Sequence, residues 1–337
     1  MEKYMKILCV GDLHMKFEIS YSSTIKDGRK KEWEDVKRMI HETAKKCDSI
    51  ILLGDQLNSR HNHSSVLREF IDFLNVFGDK DIHILVGNHE RYSTSTALDF
   101  LKSLNKPNWH IYTEPTLAKI CGKTAMMIPF QNSGILGVET KEEGEKALMK
   151  KLVKADLAFI HHAITGAKSV EFFNEIVLDK DKISKMFGMV FSSHLHQAEK
   201  LGKNIQIVGS IFTQEVGEHS KSIFIWDTVA KTTKEISLPC RGIFKIVWEE
   251  WDRHKNIIPN HSIIKCYVTN KETDLEYVKD HLKSFDASVL IEQYPSERSK
   301  VHFEDGFDLS IDSLLKLYSD AKKMKYSDLK DGFELIK

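Results

Sequence analysis

The sequence predicts an α/β fold: a two-sheet sandwich with flanking helices, then a small α/β unit and a C-terminal helix. Three observations carry this. Apolar runs of strand length alternate with amphipathic stretches of helix length over residues 6–86. Short apolar segments then follow one another over 109–130 and 189–239. After Pro239-Cys240-Arg241-Gly242 the pattern starts afresh on a smaller scale. The expected divisions are 1–240, 241–305 and 306–337.

In chain order, "KILCV" (6–10) reads as a buried strand. "EWEDVKRMIHETAKKC" (32–47) spaces Trp33, Val36, Ile40, Ala44 and Cys47 as one helix face. "SIILL" (49–53) is a strand, "SSVLREFIDFLNVFG" (64–78) a helix capped by Ser64 or Ser65 and stopped by Gly78, and "DIHILV" (81–86) a third strand. "WHIYTEP", "LAKIC" and "KTAMMIPF" (109–130) read as adjacent strands, 142–155 as a helix and "DLAFI" (156–160) as a strand. "MVFSS", "IQIVGS", "SIFIWD" and "KEISLP" are expected to build a second, more antiparallel sheet. Beyond residue 240 come two strands, a helix in "TDLEYVKDHLKSF" and the strand "ASVLIEQY". A polar break precedes the amphipathic helix "IDSLLKLYSDAKKM" (311–324).

Composition sets bounds. Of 337 residues 41% are hydrophobic and 29% charged, with Lys+Arg and Asp+Glu balanced at 49 each. Net charge therefore selects no partner, and a nucleic-acid binder would need a local basic face. No apolar run reaches the ~20 residues of a membrane span, and "MEKYMKILCV" is too short in apolar residues for a signal peptide. Five scattered cysteines, with no CxxC pair, fit a reducing cytoplasm and no disulfide framework. Eleven of the sixteen histidines precede residue 200.

Those histidines gather where strands are expected to end. "KILCV" runs into Gly11-Asp12-Leu13-His14, "SIILL" into Gly54-Asp55, and "DIHILV" into Gly87-Asn88-His89-Glu90. "DLAFI" runs into His161-His162 and "MVFSS" into His194-Leu195-His196. Each motif alone is weak. Five strand ends tipped with Asp, Asn or His are what one shared metal site requires, because α/β sites lie at the carboxyl ends of strands. Carboxylate, imidazole and amide oxygen suit divalent ions such as Mn²⁺, Mg²⁺, Fe²⁺ or Zn²⁺, and the lack of cysteine argues against structural zinc. In D-x-H and H-x-H an extended backbone would point both side chains the same way. One carboxylate can bridge two ions about 3.5–4 Å apart, which activate water and clamp a phosphate ester.

With these motifs the sequence resembles the calcineurin-like metallophosphoesterases. "GDLH", "GDQ", "GNHE", the His after "AFI" and "SHLH" look like that superfamily's five signatures and cover residues 6–196. "VGSIFTQEVGE" (208–218), the following "SIFIWD" and the small unit after residue 240 resemble the SbcD-like branch, the nuclease subunits of double-strand-break processing complexes. The total length is similar to phage-type members. The resemblance implies two divalent ions, Mn²⁺ foremost with Mg²⁺ as the alternative. One would be held by Asp12, His14, Asp55 and His196, the other by Asp55, Asn88, His161 and His194, so that Asp55 bridges. It implies a transition-state or leaving-group role for His89. His161 follows an apolar strand and precedes Gly166 by five residues, as the family ligand does; His162 remains its rival.

One position departs from the branch. Three residues after the bridging Asp many members carry a second histidine, where this chain has Asn58. Asn donates a hydrogen bond but shuttles no proton, so His61 and His63 are alternative participants. For DNA, "KDGRKKEWEDVKR" (26–38) is locally basic and offers Lys26, Arg29, Lys30 and Lys31 to phosphates, unless it is a solvated helix start offset by Glu32, Glu34 and Asp35; Arg60, Arg68 and Arg91 lie close to the motifs, with Arg91 foremost. It also implies partners. These are an SbcC-like ABC-type ATPase whose coiled-coil base receives the C-terminal helix, and a second copy of the chain docked through 32–47 or 64–78. The expected activity is DNA phosphodiester cleavage at DNA ends. A phosphoesterase for small nucleotides or cyclic phosphodiesters is the alternative.

Overall fold

The computed structural model describes residues 5–17, 28–93, 95–168, 175–216, 218, 220–259, 262–283 and 288–293. The helix expected at 311–324, and with it 306–337, lies outside the described residues.

Strand β1 (Lys6–Val10) is followed by helix α1 (Gly28–Ala44), β2 (Ser49–Leu52), α2 (Ser64–Asn75), β3 (Asp81–Leu85) and β4 (Trp109–Tyr112). Next come β5 (Thr116–Ile120), β6 (Lys123–Ile128), α3 (Ser133–Leu136), α4 (Lys141–Lys151) and β7 (Ala155–His161). The chain continues through α5 (Lys180–Met186), β8 (Phe187–Ser193), β9 (Glu199–Leu201), β10 (Ile205–Ile207), β11 (Lys221–Asp227) and β12 (Thr232–Leu238). Last are β13 (Ile243–Val247), α6 (Trp251–His254), β14 (Ile263–Val268), α7 (Leu275–Lys283) and β15 (Ser288–Gln293).

Two six-stranded sheets result, ordered β12-β11-β1-β2-β3-β4 and β5-β6-β7-β8-β10-β9, with a third of order β13-β14-β15. Residues 189–239 depart from expectation. They do not make one antiparallel sheet: β8 and β10 join the second sheet in parallel, while β11 runs antiparallel beside β1 in the first. The centre of the second sheet is parallel from β6 to β10.

The apolar strands bury both faces. In β1, Leu8 and Val10 pack with Trp33, Ile40, Phe70 and Phe73 of the helices. Ile7 and Cys9 instead meet Phe159 and Phe191 of the opposing sheet. That double burial explains continuous rather than alternating hydrophobicity. On the far side of the second sheet, Leu148 and Ile183 cover Ile160 and Val190. The layers are thus helix, sheet, sheet, helix. At α2, neither serine is the cap: His63 precedes the helix and its Nδ1 accepts the Ser65 amide at 3.3 Å. The third sheet has its own core around Trp251, Ile264, Val278 and Leu282. Ahead of it the Arg241 amide donates to Glu32 of α1 at 2.9 Å.

Candidate metal centre

The parallel strands β1, β2 and β3, and likewise β7 and β8, end on the same edge of their sheets. Main-chain bonds fasten the loops there: His14 N donates to Asp55 O (2.9 Å), Phe130 N to Val86 O (2.9 Å) and Ile211 N to Asp12 O (3.0 Å). Among the described residues, three groups of potential ligands sit within mutual reach: Asp12, His14 and His196; His14, Asp55 and His89; Asp55, His161 and His194.

Asp55 lies at the middle. Its Oδ1 accepts the His89 amide at 2.9 Å. Its Oδ2 faces three imidazoles: His161 Nε2 at 3.4 Å, His14 Nε2 at 3.9 Å and His89 Nε2 at 3.9 Å. Burial opposes its charge, but His161 and its neighbours outweigh that and hold the carboxyl well below the ordinary range.

On one side, His161 Nδ1–H donates to Leu53 O at 2.6 Å, so Nε2 is the nitrogen left bare. His194 Nε2 lies 3.0 Å from the Glu175 carboxylate, which directs the proton there and frees Nδ1. Both freed nitrogens lie 3.1 Å from the Asn88 Oδ1. Three lone-pair atoms converge, an arrangement that repels itself unless a cation or a proton lies between them. The electrostatics agree: burial opposes a charge on His161, yet Asp55 and Asp12 lift its pKa to about 9. The pocket favours positive charge at that nitrogen.

On the other side, Ser193 Oγ donates to Asp12 Oδ1 at 2.8 Å, and the His194 amide to Oδ2 at 3.2 Å. His14 Nε2 and His196 Nε2 face each other at 3.1 Å, with Asp12 Oδ2 4.0 Å from the latter. His196 Nδ1 is 3.5 Å from Glu218. Glu218 is bound at 2.8 Å by Lys221 Nζ, which is 1% exposed and also donates to His196 O.

The sequence profile described as "Calcineurin-like phosphoesterase" matches residues 5–198. The chain belongs to this family. It is a metal-dependent hydrolase of phosphate esters. It is 26% identical over 219 residues to "Putative phosphoesterase 244L" of Invertebrate iridescent virus 6, an alignment covering 63% of this chain and 72% of that one. Two solved structures are more loosely similar. "Structural and Functional Characterization of a Novel Archaeal Phosphodiesterase" describes one, with 17% identity, 69% of this chain and 100% of that chain covered, and a TM-score of 0.36. The other is the crystal structure of TT1561 from Thermus thermophilus, with 14% identity, 70% and 100% coverage and a TM-score of 0.42.

The donor set of this phosphoesterase fits divalent metal: carboxylate, imidazole and amide oxygens, with their second nitrogens tied elsewhere. All seven residues expected as ligands are brought to this one edge, but the backbone does so differently from expectation. D-x-H and H-x-H are not extended here. His14 (φ 43°), Asp55 (φ 50°) and His194 (φ 86°) occupy the left-handed region, which non-glycine residues rarely adopt. Turning the chain at these residues, rather than strand alternation, aims the side chains. Gly54 has φ 107° and a Cβ there would overlap the His161 ring; a Cβ at Gly87 would overlap Asp55.

Other expected participants lie elsewhere. Asn58 contributes its backbone: its carbonyl accepts His89 Nδ1–H at 2.7 Å and so turns His89 Nε2 to the cluster. His63 is spent as the α2 cap, and exposed His61 sits edge-on to Tyr92 with centroids 6.1 Å apart. His162 is buried and turned away. Its Nε2 accepts the Gln131 amide at 3.1 Å and its ring stacks on Phe130. Arg91 is 6% exposed and bonds Thr113 O and Glu114, so its guanidinium is occupied inside the fold rather than displayed to a phosphate. Lys30, Lys31, Arg60 and Arg68 are exposed, Lys26 lies outside the described residues, and Arg29 is 4% exposed and paired with Glu32 at 3.3 Å, so it is turned into the fold.

Sequence reasoning missed the supports. Glu90 is fully buried, accepts the Leu57 and Gly87 amides at 2.8 Å each, and ties the Asp55 loop to the Asn88 loop. Burial, then Asp55, raises its pKa to about 8. Glu218 and Lys221 support His196. Glu90 and Glu218 were visible only as letters of the "GNHE" and "EVGE" motifs.

Proposed function

We propose that this phosphoesterase is a two-metal DNA phosphodiesterase acting at DNA ends, as the nuclease subunit of an SbcCD-like complex. The observation that carries the reading is Glu218. The segment 208–218 that resembles the SbcD-like branch is not a remote decoration, because its terminal glutamate reaches His196 and Lys221 at the metal centre. The three-stranded unit after residue 240 supports the same branch.

Two divalent ions, with Mn²⁺ favoured, would supply positive charge to the phosphate and acidify water. The chain's own groups do the rest. Asp55 presents one oxygen to both histidine sets. His89, with Nδ1–H held by Asn58 O and a side chain 38% exposed, turns Nε2 to the open side of the cluster, placed to give a proton to the leaving oxygen. Lys30, Lys31 and Arg60 are the exposed cations available to backbone phosphates. An ATPase partner and a second copy of the chain belong to this reading.

One observation favours the alternative, a small nucleotide or cyclic phosphodiester substrate. A cavity of about 350 Å³ beside Asn58, lined by Met15, Phe17 and His61, is of single-nucleotide size. End-labelled linear and hairpin DNA, incubated with Mn²⁺ or Mg²⁺ with and without an ATPase subunit, separates the two. The proposal expects cleavage that Asp12→Ala and His196→Ala abolish while circular dichroism stays unchanged. Turnover of mononucleotide esters with no cleavage of any DNA would overturn it.

A further inference from the structure

At the end of the sandwich opposite the metal centre lies a cavity of about 570 Å³, within the usual ~300–1,000 Å³ of small-molecule sites. Its position follows from the strands. Lys123 opens β6, while Asp156 and Gly188 stand second in β7 and β8. His161 and Ser193 close the same two strands, so the cavity lining and the strand ends at the metal centre are separated by roughly 17 Å at ~3.3 Å per residue.

We propose that this cavity is a second ligand site, shaped for a nucleoside polyphosphate. Four lysines line it from three separate places: Lys123 at the start of β6, Lys200 and Lys203 in the β9–β10 hairpin and Lys231 in the β11–β12 turn. The residues between those elements share no helix or strand that would cluster lysines by periodicity. Among the described residues none of the four has an ion-pair partner within 4.0 Å. The one carboxylate in the lining, Asp156, accepts from the Thr124 amide (2.9 Å) and hydroxyl (2.8 Å) and feels the nearby charges of Lys123 and Lys231, so four lysines against one aspartate leave the lining at a net charge of +3. A lining with that excess of positive charge is offset by a multiply charged anion.

The rest of the wall indicates more than bare phosphate. Trp226, Met189 and Leu157 are the end of the inter-sheet core, and they line the cavity at 8%, 7% and 2% exposure. An indole beside cations is the pairing that receives a planar base next to its phosphates. A lone phosphate would leave that apolar wall bare and fill little of the volume. The lysines stand clear of the metal centre, so the inference is independent of which phosphodiester is cleaved there.

Calorimetry on the full chain in EDTA, which keeps metal-bound nucleotide out of the active site, tests this with ATP, tripolyphosphate and adenosine. The expected result is one ATP site, weakened by about tenfold or more in the variant Lys200→Ala/Lys203→Ala/Lys231→Ala. Tripolyphosphate should bind more weakly than ATP, and adenosine more weakly still. The variant should hydrolyse bis-p-nitrophenyl phosphate like the parent, which shows that it is folded. Absence of ATP binding to the parent, or equal affinity in the folded variant, would overturn the site. Tripolyphosphate binding as tightly as ATP would overturn the nucleotide assignment.

Discussion

The two halves of the metal centre are supported by different means. On the side of Asn88, His161 and His194, His194 leans on the Glu175 carboxylate, but the ring of His161 is locked by a main-chain carbonyl, Leu53 O. That acceptor belongs to the loop entering Asp55 and moves only if β2 moves. On the side of Asp12, His14 and His196, the outer histidine is steadied by a side-chain relay, Lys221 to Glu218 to His196. Burial opposes the Glu218 charge, but His196 and Lys221 outweigh it and bring its pKa to about 2. The His196 side chain is 25% exposed, whereas that of His161 is fully buried. A ligand fixed by backbone, as His161 is, is already in place and costs little to order. A site fixed by a buried ion pair depends on both partners remaining charged and in place. On the two-ion reading proposed above, the ions should bind with unequal affinity, tighter on the Asn88 side.

The largest expected effect erases the comparison. Asp55→Asn removes the oxygen that faces both halves, so metal titration should show both equivalents weakened together. Phosphodiester hydrolysis should fall by at least about 10²–10³-fold, the scale for losing one strong charge-stabilising group. Retention of one ion at native affinity would show that Asp55 serves a single half.

A smaller effect sharpens the contrast. Glu218→Gln keeps the size of the side chain and removes the charge that steadies His196 and pairs with buried Lys221. Metal affinity should drop about 10–100-fold, as for other outer-shell partners, but for one equivalent only. Equal weakening of both equivalents, or of neither, would contradict the relay.

Much of this is legible in the sequence. The strands announced themselves because they bury both faces and end abruptly on Gly-Asp, Gly-Asn or His. What placed 221–238 in the first sheet was not legible. It depends on Lys6 pairing with Asp227 across more than two hundred residues, and local apolarity is the same whichever sheet receives the strand. At the site, the ligand types could be read, because only certain side chains bind hard cations. Their supports could not. Leu53 contributes a carbonyl that every residue has, Asn58 does the same for His89, and Lys221 looks in sequence like any surface lysine. The left-handed turns at His14, Asp55 and His194 leave no residue signature of their own; only the adjoining glycine of Gly54-Asp55 hinted at one.

The smallest effect on metal decides between neighbours. His161 and His162 are indistinguishable by type, and both are buried. Yet β7 sends them to opposite sides of the sheet, His161 toward Asp55 and His162 toward Phe130 and Gln131. Burial, then the neighbouring histidines, lowers the His162 pKa to about 3, so it stays neutral and serves as an acceptor for the Gln131 amide. His162→Phe should therefore leave both metal equivalents at native affinity. It should instead lower stability by about 1–3 kcal/mol, the cost of a buried amide left without its acceptor. His161→Ala should do the reverse, abolishing the tighter equivalent. Denaturant melts beside metal titrations of the two variants read both quantities. Loss of metal from His162→Phe, with His161→Ala unaffected, would exchange the two residues' roles and move the tighter half-site away from the Leu53 carbonyl.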